Sequence, residues 1–106
     1  MKLNKHTMQI TNDEIGENLN HFVSLFCNTL LGSKSTTDKL VIYYTDFGRI
    51  EVTYFKGKHF EYVQYDSNGN RSDSCNAATV GWIIDKVCGY CYWQKCSVDR
   101  IDFIFW

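Results

Sequence analysis

Three cysteines fall within nine residues, as Cys88-Gly-Tyr-Cys91-Tyr-Trp-Gln-Lys-Cys96, and two more, Cys27 and Cys75, precede them. The Cys88-x2-Cys91 spacing lets two thiolates grip one metal ion from a single turn. Zinc accepts such a pair because it is borderline-soft and has no ligand-field geometry of its own. Cys96, five residues on, can fold back over the same ion. The fourth ligand must come from Cys75, Cys27 or a histidine, His59 foremost. Cys75 stands in a polar stretch and has no packing reason to be cysteine, whereas Cys27 lies in an apolar stripe where a free thiol is an ordinary small hydrophobe. Cys75, Cys88, Cys91 and Cys96 are therefore the expected ligands of a structural zinc ion, whose four protein ligands leave no open position for a catalytic water. The same residues also read as plain core thiols at i, i+3 spacing or as a redox pair. Against redox chemistry, the pair does not follow a strand at a helix N-terminus, where a nucleophilic thiol is activated.

Geometry bears on the fourth ligand. If residues 77–87 form one continuous helix, its rise of ~1.5 Å per residue leaves Cys75 more than ~15 Å from Cys88. Gly81 and Gly89 weaken that helix, by up to ~1 kcal/mol each relative to Ala, and would allow an irregular or later-starting one. Cys27 comes near only if both helices run the same way along the sheet, with their C-terminal ends together.

Around these thiols the chain supplies the elements. Met1–Ile10 reads as a tail or short edge segment. Thr11 and Glu14 have capping-box spacing, and Asp13 and Glu14 suit the positive end of a helix dipole. Ile15, Leu19, Phe22, Val23, Phe26, Cys27, Leu30 and Leu31 then form one apolar stripe at the helical period, with Gly32 as the stop. Leu40–Thr45, Arg49–Phe55 and His59–Tyr65 are rich in β-branched and aromatic residues and are joined by short turns, a three-strand antiparallel meander. Residues 66–74 read as a polar loop. Asn76 reads as the cap of a second helix whose shared face holds Val80, Ile83, Ile84, Val87, Cys88 and Cys91. Val98–Trp106 is a last strand, turning Ile101, Phe103 and Phe105 one way and Arg100, Asp102 and Ile104 the other. The expected fold is α+β, a single domain over residues 1–106 in the order α-β-β-β-α-β: an antiparallel sheet packed against two helices, with a cysteine-rich zinc knuckle.

No catalytic set emerges. His6, His21 and His59 are scattered, no glycine-rich phosphate loop appears, and no serine sits in a nucleophile elbow. Asp46-Phe47-Gly48 spells the metal-binding tripeptide of protein kinases, but without the other kinase elements it is a hairpin turn. The pairs Asp66/Asp73 and Asp99/Asp102 are loop and strand-end acids of the solvated kind. A non-enzymatic protein is expected.

What remains is surface. Of 106 residues, 7 are Phe, 7 Tyr and 3 Trp, more than two helices and four short strands need inside. Phe47, Tyr65, Tyr92, Trp93 and Trp106 are the candidate partner-binding residues, since tyrosine and tryptophan are favoured interface anchors. The bland alternative is that aromatics cover the second face of the sheet. Lys56, Lys58 and His59 with Arg49 and Tyr54 offer a small patch for nucleic acid. A net charge of −1 argues against nucleic-acid binding by bulk positive charge and against strongly acidic mimicry of nucleic acid. The 44% hydrophobic content excludes disorder. The longest apolar runs, such as Val80–Ile84, fall far short of the ~20 residues of a membrane span. Met1–Ile10 lacks the apolar core of a signal peptide, so a reducing, cytoplasmic setting is expected, and five cysteines suit a disulfide framework poorly.

In overall character the chain resembles the small phage-encoded anti-defence proteins, single domains of about this size without an enzyme motif that occupy a surface of a bacterial nuclease. The Cys75…Cys88-x2-Cys91-x4-Cys96 set makes it more specifically similar to a zinc-containing anti-CRISPR protein directed at the type II RNA-guided effector nuclease. That resemblance implies no catalysis. It implies a protein in the cytoplasm of the bacterial host that binds the effector and blocks loading or cleavage of target DNA. Near-neutral charge departs from the acidic, DNA-imitating inhibitors, and implies a shape-complementary site on a protein lobe. A toxin immunity protein or antitoxin, and a small zinc-dependent nucleic-acid-binding regulator, are the competing readings.

Overall fold

A computed structural model describes residues 6–32, 38–45, 48–55, 59–94 and 97–105, with side chains omitted at 55 and 90–94. Strand β1 (His6–Thr11) leads into a single turn, α1 (Asn12–Ile15), and a 14-residue helix, α2 (Leu19–Gly32). Strands β2 (Lys39–Tyr44), β3 (Arg49–Phe55), β4 (His59–Tyr65) and β5 (Arg71–Ala78) follow. Helix α3 (Val80–Gln94) and strand β6 (Val98–Phe105) complete the described chain. One six-stranded sheet has the order β1-β6-β2-β3-β4-β5, and every neighbouring pair is antiparallel. The α+β class and the central meander are as the sequence predicts.

Three boundaries differ. The expected first helix is interrupted: Thr11 starts α1, with the Glu14 carboxylate accepting the Thr11 N–H at 3.3 Å. Gly16 then turns with φ +50°, a conformation that costs glycine little and other residues more. The expected tail is a full partner of β6, from His6↔Phe105 to Thr11↔Arg100. The expected polar loop at 66–74 is only a turn, because residues 71–78 pair with β4. Asn76 is thus a strand residue, and Thr79 starts α3 instead, its Oγ1 accepting the Trp82 N–H at 3.2 Å, the N-cap arrangement. Despite Gly81 and Gly89, α3 is continuous, because Ile83 and Val87 on its inner face are fully buried, and packing outweighs propensity.

Both long helices lie on one side of the sheet. Leu40, Ile42, Ile50, Val52, Tyr62 and Ile101 point to them with Val23, Cys27, Leu30, Ile83 and Val87, and together form the core. The helices run in opposite directions. Thr11 lies level with Arg100, and Tyr43 with Arg100 too, at one end of the sheet. The chain passes through α2 to Lys39, level with Thr53 at the other end. From that same end, where Ala78 opposes Phe60, α3 carries it back to Val98 beside Tyr44. The Tyr44 hydroxyl reaches across the core to donate to the Val87 carbonyl at 2.9 Å. No described helix is long and apolar enough to cross a membrane.

Candidate functional site

The alternation that sends Ile50, Val52, Ile101 and Phe103 to the helices sends their neighbours to the opposite face, which no described helix covers. Glu51 stands at its centre, with Val41 opposite on β2 and Val63 opposite on β4. Its carboxylate accepts Lys39 Nζ at 2.9 Å and Arg49 Nε at 2.8 Å. Burial alone would raise the Glu51 pKa, but the hydrogen bonds and charges of Lys39 and Arg49 outweigh it and hold the carboxyl below its ordinary range.

Arg49 has a second contact. Its guanidinium lies 4.1 Å from the centre of the Tyr65 ring, directly across the β3–β4 ladder. The same device recurs two strands away, where Arg100 on β6 lies 3.9 Å over the ring of its cross-strand partner Tyr43 on β2. Arg100 also reaches Asp102 at 3.4 Å, and Asp102 Oδ1 accepts the Gln9 amide at 3.1 Å. Planar guanidinium on phenol is held by the attraction of the cation to the ring face, and both groups lose rotamer freedom in it before any partner arrives.

At one end this face runs into a polar cleft of about 370 Å³ lined by Tyr43, Arg49, Gly48 and Asp66–Gly69. Asp66 builds the far wall. Its Oδ1 accepts the N–H groups of Asn68 and Asn70, both at 2.9 Å, and Gly69 takes φ +84°. Gly48 lies so close to that turn that a Cβ there would overlap the Tyr65 carbonyl oxygen and the Asp66 backbone.

Of the expected partner-binding residues, Tyr65 is on this face, half-buried under Arg49. Phe47 and Trp106 lie outside the described residues, as do the side chains of Tyr92 and Trp93, whose backbone belongs to α3. The stacking of Arg100 on Tyr43 joins strands distant in sequence, and the sequence did not pair the two. The usable signal was the alternation of β6, which puts Arg100 and Asp102 on one face. The expected basic patch is not one patch. Arg49 and His59 lie at opposite ends of the β3–β4 ladder, where Arg49 opposes Tyr65 and His59 opposes Phe55. Tyr54 is turned to the core, 4.8 Å from the Phe60 ring, and Lys56 and Lys58 lie outside the described residues.

The three described thiols, Cys27, Cys75 and Cys88, are dispersed. Cys27 is fully buried on α2, and burial pushes its pKa up to about 12. The Cys88 thiol donates to Asn20 Oδ1 on α2, and burial, with the charge of Asp85 second, raises its pKa. Because the helices are antiparallel, Cys88 sits beside the start of α2. Cys27, seven residues further along, lies about 10 Å away along the axis. The parallel helices that would have joined them are not present.

Cys75 is on β5, opposite Tyr62, and Tyr62 meets Trp82 edge-on at 4.9 Å. Lys86 on that same flank of α3 reaches Asp73 at 3.3 Å. Lys86 and Cys88 are about 200° apart around a helix of 3.6 residues per turn. Cys75 and Cys88 therefore lie toward opposite flanks of α3. Among the described residues no group of three or more His, Cys, Asp or Glu is placed to hold a metal; Cys96 and the Cys91 side chain lie outside them. Compared with family models, with curated proteins and with solved structures, the chain matches none.

Proposed function

We propose that this chain is a non-catalytic binding protein that acts by occupying a surface of another protein, with the open face of its sheet as the contact. The observation that carries this reading is the pair of guanidinium–tyrosine stacks, Arg49 on Tyr65 and Arg100 on Tyr43, set on either side of the Glu51 ion-pair group. Arginine and tyrosine are the residues that anchor interfaces, and here both are held in place by neighbours within a rigid sheet, so little conformational entropy remains to be lost on binding. Glu51 and Asp102 offset the cations of the face, which favours a protein surface of mixed charge over a phosphate backbone.

The resemblance to phage-encoded inhibitors directs the choice of partner: a bacterial nuclease, in the first instance the type II RNA-guided effector. The purified chain, added at stoichiometric amounts, is expected to suppress cleavage of target DNA by that effector and to co-elute with it. Arg100→Glu is expected to weaken the complex about tenfold or more, since it reverses a charge and unstacks Tyr43. Full cleavage together with separate elution would overturn the choice of partner. Inhibition untouched by Arg100→Glu and Arg49→Glu, both folded, would overturn the choice of surface.

A further inference from the structure

The two outer strands of the sheet are built differently. On β5 the register with β4 shifts twice, between Phe60/Tyr62 and between Gln64/Tyr65, and the strand carries Arg71 and Asp73, with Asp73 tied to Lys86. Bulges and charges are what keep an exposed strand edge from pairing with another chain. Strand β1 has neither. Its six residues, His-Thr-Met-Gln-Ile-Thr, pair with β6 in an unbroken register. They include no lysine, arginine, proline or acid, and among the described residues β1 has no strand on its outer side.

Beside that edge lies an apolar groove of about 410 Å³, lined chiefly by Met8, Leu25, Phe26, Phe103 and Phe105. Met8 is 49% and Leu25 47% exposed, two of the three large exposed hydrophobics among the described residues. Met8 belongs to both features, so a strand added at the edge would bring every second side chain over the groove.

We propose that β1 pairs antiparallel with β1 of a second copy of this chain, about a two-fold axis normal to the sheet, closing both grooves in the same step. Symmetry and the strand period restrict how this is done. Such an axis keeps both helix layers on one side, so only residues of the same face can pair. The permitted registers centre on Met8 or on Gln9, and set Met8 against Met8 or against Ile10 of the second copy. Charge agrees with this pairing. A two-fold axis sets residues of β1 against residues of β1, and none of the six carries a formal charge at neutral pH, so no like charges are brought together. The open face remains free, and the dimer presents two of them side by side as one continuous sheet surface.

Light scattering on the full chain eluting from a sizing column, under reducing conditions and over a range of concentrations, tests this. The expected mass is twice the 12.4 kDa of one chain. Met8→Lys, which places a charge at the edge, is expected to raise the dissociation constant about tenfold or more. Leu25→Lys, on the outer surface of α2, is expected to do the same and keeps the test decisive should Met8→Lys disturb folding, which circular dichroism would report. A single-chain mass at every concentration would overturn the proposal and leave the edge to a strand from a different protein. A doubled mass insensitive to both substitutions would overturn it equally, by placing the contact elsewhere.

Discussion

Ile50 and Glu51 are consecutive in β3 and do opposite work, and they stand for the two faces of the sheet. Ile50 is fully buried under the helices, where its contribution is the removal of apolar surface from water and close packing. Glu51 is held on the other face by Lys39 and Arg49, where each ion pair contributes little because solvent still screens it. The covered face gives the protein its stability. The open face also buries Val41, Val63 and Asp102, but its ion pairs and guanidinium–tyrosine stacks stand nearer the solvent, where a substitution is expected to cost the fold less than one under the helices.

The largest effect that would break this contrast is at Ile50. Ile50→Ala is expected to cost about 3 kcal/mol by leaving a cavity among Ile42, Val52 and Ile101, and Glu51→Ala no more than about 1 kcal/mol. Equal losses in denaturant titrations of the two variants would mean that the open face is also structural. Next in size is a dependence on pH. The Glu51 carboxyl has a folded pKa below its unfolded one, so the stability it contributes is complete above the ordinary glutamate pKa and is lost as pH falls through the lowered folded value. Wild type and Glu51→Gln are therefore expected to differ at neutral pH and to converge in acid. A gap that widens in acid would reverse the sign and refute the ion-pair account.

The smallest expected effect concerns the thiols. Cys75 and Cys88 lie under opposite flanks of α3, so Cys75→Ser is expected to leave metal content unchanged, whatever zinc the wild type carries. Elemental analysis of both proteins, purified without a histidine tag, reads this directly. Loss of zinc from Cys75→Ser would bring the two thiols into one site and overturn the placement of α3 between them.

Much of this architecture is legible in local pattern. The stripe from Ile15 to Leu30 and the alternation in β3 and β6 each record which side of an element is buried, and burial is what selects apolar residues. The open face is legible in the same way on β6, where Arg100 and Asp102 alternate with Ile101 and Phe103. Strand β5 was not legible, because Arg-Ser-Asp-Ser-Cys-Asn has the composition of a turn. It is a strand because β4 offers an unpaired edge, and because Cys75 and Ala78 pack against the core. Thr79 likewise displaced Asn76 as the start of α3 only because pairing with β4 held Asn76 in the strand.

The amino-acid sequence by itself determined the elements of the meander, the inward face of each helix and the alternation of β3 and β6 that sends Arg49, Glu51, Arg100 and Asp102 to the far side of the sheet. Periods of 3.6 and 2 are written in the residues, and each requires only the local chain to be realised. The tertiary structure alone decided the direction of α2 against α3, and with it the separation of Cys27, Cys75 and Cys88. It also decided the stacking of Arg49 and Arg100 on rings from neighbouring strands, and which strand edges remain open. Those are relations between segments distant along the chain, set by how the connections cross the sheet, and spacing in sequence carries no record of them.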